Sequence, residues 1–96
     1  MVIRVIDIVP SADTADQGLV VYEVVKRALQ SENQIEVSFD AVKTATSSFV
    51  NAAFVQLLSD FTFDEIKTRV RVVQSTRQIN DMIKRCVERK AAEEKS

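Results

Sequence analysis

The chain has 96 residues, 46% apolar and 28% charged, with a formal net charge of −1, no histidine and one cysteine, Cys86. That length and composition fit one globular domain and exclude both a second core and disorder. Without histidine the usual neutral-pH general base and the commonest nitrogen metal ligand are missing, and a lone cysteine excludes an intrachain disulfide. Residues 1–10 are interrupted by Arg4 and Asp7, which speaks against a signal peptide or membrane span. With the single thiol, this points to a reducing, cytoplasmic setting. Charge is unevenly spread: residues 1–63 carry four basic and eight acidic side chains, residues 64–96 nine basic and six acidic.

Along the chain, periods of two alternate with periods of three to four, the pattern of strand–helix units. Residues 2–8 (VIRVIDI) read as the first strand. Residues 15–30 read as a helix with Leu19, Tyr22, Val25 and Leu29 on one face. Residues 35–39 (IEVSF) follow as a strand with Ile35, Val37 and Phe39 on one side, Glu36 and Ser38 on the other. The next helix, 48–60, carries Val50, Ala53, Phe54, Leu57 and Leu58. A helical turn over 63–68 precedes a third strand, 69–74 (RVRVVQ), and a helix over 76–90 presents Ile79, Met82, Ile83, Cys86 and Val87. Three hydroxyl residues with Gln or Glu three positions on, Thr14/Gln17, Thr62/Glu65 and Ser75/Gln78, fit the capping box that satisfies free amides at a helix start. The chain thus reads as a single domain over 1–90, with 91–96 as a frayed, solvated tail.

Three strands separated by helices run parallel with right-handed crossovers. Strands that alternate apolar and polar, as the second and third do, are covered on one face only. The fold class expected is therefore α/β: a small stack of strand–helix units with three mainly parallel strands and helices largely on one face. The second face, with Glu36, Ser38, Arg71 and Val73, is left for water or a partner, including a second copy in a homodimer.

Residues 37–58, VSFDAVKTATSSFVNAAFVQLL, carry a resemblance. The strand ending Ser38-Phe39-Asp40 and the helix opening Thr46-Ser47-Ser48-Phe49 with Asn51-Ala52-Ala53 resemble the STAS-like family of small bacterial and phage proteins, related to the anti-sigma-factor antagonists. In those antagonists an Asp-Ser-Ser-Gly segment opens the helix, and a partner kinase of the histidine-kinase-like ATPase fold phosphorylates its second serine. Here Thr46 stands in the place of the Asp and Phe49 in that of the Gly, while Ser47 and Ser48 match the two serines. The resemblance implies a strand–helix stack and a regulatory interaction domain with a protein partner of that ATPase fold.

Ser47 and Ser48 are accordingly the candidate phosphorylation sites, with Ser48 first. Ser48 equally suits a plain N-cap. No acidic residue occurs from Ala41 to Ser59, so a phosphate there would meet the positive end of a helix without a competing carboxylate. The candidate partner-binding set is Asp40, Lys43, Thr46, Ser47, Ser48, Phe49 and Asn51, on the usual functional edge of a parallel sheet. Within it Phe49 is expected to point outward as a binding anchor, with Phe54 and Leu57 in the core. Asp13, Asp16 and Asp40 lack the spacing of an ion loop, so no metal is expected. Gly18 stands alone, without a phosphate-binding loop, and Cys86 sits in an apolar stripe as an inert thiol. No catalytic residue and no cofactor are expected, and the reading is not an enzyme. The alternatives are a homo-oligomeric structural module, or an accessory nucleic-acid-binding protein using Arg69, Arg71, Arg77, Arg85 and Arg89.

Overall fold

Three short extended segments, Val2–Arg4 (β1), Ile35–Ser38 (β2) and Val70–Val73 (β3), pair in the computed structural model, which describes residues 1–95. They form one parallel sheet in the order β1-β2-β3. Val2 lies opposite Glu36 and Glu36 opposite Arg71, while Ile3, Val37 and Val72 align in the next row. Since side chains alternate across a sheet, the second row joins Ile35 and Val70 on one face and the first row lies on the other. Ile3, Ile35 and Val37 are buried, whereas Val2, Arg4 and Arg71 are exposed. The chain steps the same way at both crossovers, and right-handed crossovers of that kind put their helices on one side of the sheet.

The helices are α1 (Val5–Ile8), α2 (Ala15–Ser31), α3 (Ser47–Ala53), α4 (Phe63–Arg69) and α5 (Arg77–Lys95), with a 3-10 segment at Val55–Ser59. The first strand is shorter than its apolar run: β2 ends at Ser38, opposite Arg4, so residue 5 has no ladder to join and the chain coils into the single turn α1. At the other end α5 continues through residues 91–95, where a frayed tail was expected. Ala91 extends the stripe of Ile83 and Val87 by one turn and is buried; residue 96 lies outside the described residues.

Both Thr14 and Thr62 make complete capping boxes, with Gln17 and Glu65 reaching back to the cap amides. At the third expected box the structure has a plain cap, one residue later. Thr76, not Ser75, accepts the Ile79 amide at 3.1 Å, and the Ser75 hydroxyl instead bonds Asn80.

The core lies between the sheet and the helices around Phe39, Phe49, Phe54 and Leu57, with the Phe39 and Phe54 rings tilted at 6.1 Å. The most extensively packed helix pair is α2 with α3. A Cβ placed on Gly18 would lie 2.5 Å from the Phe49 carbonyl oxygen and 2.7 Å from the Ala52 Cβ, so only glycine permits this approach. The consequence is a rotated stripe on α2. Gly18, Val21, Tyr22, Val25, Ala28 and Leu29 face inward, and Leu19, expected in the core, is 45% exposed.

The sheet's second face is open but less uniform than its alternation suggests. Ser38, expected on that face and so left to water or a partner, is fully buried, its hydroxyl donating to Gln74 Oε1 at 2.6 Å and accepting the Asp40 amide. Gln74 takes that position through a left-handed backbone (φ 53°).

Candidate functional site

The segment from β2 to α3 is fixed from both sides. Phe39 extends the parallel ladder by donating its amide to Val73, and Val42 closes a turn onto Phe39 through Ala41, which has a left-handed φ of 68°. Thr46 then anchors the loop: its amide donates to Ala12 and its hydroxyl to the Asp13 carbonyl at 2.6 Å. The same Thr46 oxygen accepts the Phe49 amide at 3.2 Å. Thr46 is therefore the N-cap of α3, and the assignment of that role to Ser48 is corrected. A tether to the loop before α2, some thirty residues away in sequence, decides which of three adjacent hydroxyl residues caps the helix.

Ser47 and Ser48 consequently occupy the first two helical positions, both exposed, with neither hydroxyl used for capping. Phe49 is fully buried, which overturns its expected role as an outward anchor. The close packing of α3 on Gly18 carries the Phe49 backbone against α2, and its ring joins Phe39 and Phe54 in the same core.

The remaining candidates separate into groups. Asp40 is exposed and pairs with Arg4 at 3.1 Å, Arg4 also reaching Asp7 at 3.3 Å. Lys43 lines a small hollow of about 160 Å³ with the loop at residues 10–13. Ser47 and Asn51, one turn apart, line a larger cleft of about 590 Å³ whose other wall is α5. Among the described residues no three acidic or thiol side chains converge as a metal site, Asp13, Asp16 and Asp40 included.

Cys86, placed by its spacing in the core, is only half-buried and lines this cleft beside Arg85 and Arg89. Those two arginines were legible as basic residues, but nothing in their spacing revealed that they face α3. The rest of the basic set lies elsewhere. Arg71 is on the open sheet face, and Arg69 is consumed in structure, donating to the Leu29, Glu32 and Asn33 carbonyls and lying over the Phe61 ring.

One polar cluster went unread in the sequence. The Tyr22 hydroxyl donates to Asp60, and Lys26 stands 3.6 Å from the same carboxylate. The hydrogen bond to Asp60 and then burial hold the Tyr22 phenol above its ordinary 10.0, and the Asp60 charge raises Lys26 above 10.5. These groups tie α2 to the end of the 3-10 segment, on a different surface from the cleft.

An open parallel sheet with helices on one face, and a helix opening on two exposed serines after the second strand, define a small α/β domain of the STAS type. The chain belongs to the family described as a STAS-like domain of unknown function (DUF4325), whose model matches residues 17–80, two thirds of its length. No curated protein and no solved structure matches it. The match runs from the first turn of α2 to the first turn of α5 and includes the whole β2–α3 segment. No described helix is long and apolar enough to cross a membrane.

Proposed function

We propose that this chain is a regulatory protein–protein interaction domain, docking a protein partner at the loop after β2 and the start of α3, and switched there by serine phosphorylation. The observation that carries the reading is the use of Thr46 as the cap. Because Thr46 takes the Phe49 amide, the Ser47 and Ser48 hydroxyls are exposed and uncommitted. No acidic residue occurs from Ala41 to Ser59, so added phosphate charge meets no local carboxylate on that stretch. The family supports a regulatory role of the STAS type. The resemblance to the antagonists adds a cytoplasmic setting, a partner of the histidine-kinase-like ATPase fold, and release of the partner on phosphorylation. The domain acts by binding and has no catalytic centre in this reading.

The test is affinity capture from the native cell with wild type, Ser48→Asp and Ser48→Ala, with intact-mass measurement of the recovered chain. A partner held by wild type and Ser48→Ala but lost by Ser48→Asp supports the switch. Equal capture by all three, with no phosphate on Ser47 or Ser48, overturns it. A second reading, self-association, is favoured by the exposed Val2 (56%) at the open sheet face. Light scattering over a concentration series decides it, a strict monomer refuting it.

A further inference from the structure

Two helical faces far apart in sequence meet across the larger cleft. Ser47 and Asn51 stand one turn apart on α3, and Arg85 and Arg89 one turn apart on α5, so each pair shares a helix face. Lys90 adds a third cation to the α5 wall, against a single carboxylate, Glu93, among the described lining residues. None of the three cations is in an ion pair among the described residues. Among the described residues their one side-chain hydrogen bond is local, from Arg85 Nε to the Asp81 carbonyl. Between the neutral polar α3 wall and the basic α5 wall lie Val55, Met82 and Cys86, all half-buried.

We infer that this cleft seats an acidic amphipathic segment of a protein partner. Its carboxylates pair with Arg85, Arg89 and Lys90, and its apolar side chains rest on Val55, Met82 and Cys86. Charge complementarity selects this occupant. Single-stranded nucleic acid is held by a basic track combined with aromatic platforms for its bases, and no aromatic residue lines the cleft. Arg71 lies on the opposite face of the sheet and Arg69 is bound to backbone carbonyls, so neither adds to the cleft's cations. The inference rests on the interaction-domain reading and gives it a surface and a partner chemistry. It also distinguishes the two serines, because Ser47 lines the cleft and Ser48 does not. A phosphate on Ser47 adds about −1.5 to −2 charges at the rim and competes with the segment for the same cations.

The experiment uses the full chain and a fluorescein-labelled peptide repeating Glu-Leu-Leu-Glu, beside its Gln-for-Glu counterpart and a single-stranded oligouridylate. Cys86, the chain's one cysteine, reports occupancy through its rate of alkylation by a maleimide. The acidic peptide is expected to bind and to slow alkylation. Its affinity is expected to fall about tenfold or more in the Arg85→Glu/Arg89→Glu double variant, where two attractions become repulsions. Ser47→Asp should also weaken it, whereas Arg71→Glu, a charge reversal on the far face of the sheet, should not. If the double reversal fails to fold, Arg85→Gln/Arg89→Gln takes its place. The assignment is overturned if the Gln peptide binds equally well, if Arg71→Glu weakens binding as much as the double variant, or if bound peptide leaves alkylation unchanged. Protection of Cys86 by the oligouridylate but not the acidic peptide overturns it in favour of a nucleic acid. The parent reading fails separately: capture of the native partner that is indifferent to Ser48→Asp sinks the switch, while peptide binding at the cleft stands.

Discussion

Gly18→Ala sets two effects against each other. In an exposed helix Ala is favoured over Gly by about 0.8–1 kcal/mol, so propensity alone says the substitution stabilises α2. The packing says otherwise. The new methyl would sit 2.5 Å from the Phe49 carbonyl oxygen, 2.7 Å from the Ala52 Cβ and 3.2 Å from the Ala53 amide nitrogen. Two of those three neighbours are backbone, which cannot rotate away, so α3 has to move by most of an ångström. Overpacking of this kind costs roughly 1–3 kcal/mol. The upper end applies because the displaced helix carries Phe49, Val50 and Ala53, all fully buried. Subtracting the propensity gain leaves a net loss of about 2 kcal/mol, or roughly 8–16 °C in Tm for a domain of this size. Urea unfolding followed by far-UV circular dichroism measures it, provided the slope is unchanged. Ala52→Gly in the same background removes the second contact and should restore part of the loss. A Gly18→Ala chain as stable as wild type, or more so, would refute the close approach of α2 and α3.

Phe49→Ala and Phe54→Ala should each cost about 3–5 kcal/mol in the same assay, since both rings are buried; a Phe49→Ala loss under about 1 kcal/mol would mean α3 is rotated. Thr46→Ala should lose about 0.5–2 kcal/mol as the cap, with Ser48→Ala near neutral, and the reverse order would return the cap to Ser48. Tyr22→Phe removes a hydrogen bond to a carboxylate and should cost about 1.5–3 kcal/mol, a loss that Asp60→Asn in the same chain should largely share. Thr62 bonds lower the Glu65 carboxyl below its usual 4.5. A lowered folded value stabilises fully above the unfolded one and fades as pH falls through the folded one. The stability gap between wild type and Glu65→Ala should therefore be constant near neutrality and shrink below about pH 4, its persistence at lower pH counting against the box.

What the sequence discloses here is whatever depends on neighbours along the chain. Alternation in IEVS and VRVV revealed strands and a one-sided sheet, and the Thr14 and Thr62 boxes marked two helix starts within a few residues. What it conceals depends on distant backbone. Thr46, Ser47 and Ser48 are equivalent caps until Ala12 and Asp13 bind Thr46. Leu19 and Val21 are equally good members of an apolar stripe until Gly18 is drawn against α3, which turns Leu19 outward. The short run VIRVIDI suits either period, and only the length of β2 divides it into a strand and a turn of helix. The candidate site was legible in its serines and illegible in its opposite wall, because the α5 arginines gain meaning only from the helix they face.

The strand order has a further consequence. In doubly wound sheets a ligand crevice opens at the topological switch point, where successive crossovers depart in opposite directions and two strand ends splay apart. The order β1-β2-β3 never reverses, so this sheet contains no such divide. The cleft between α3 and α5 forms instead between neighbouring helices. Its lining comes from helix side chains rather than strand ends, so its chemistry can change by substitution without disturbing the sheet.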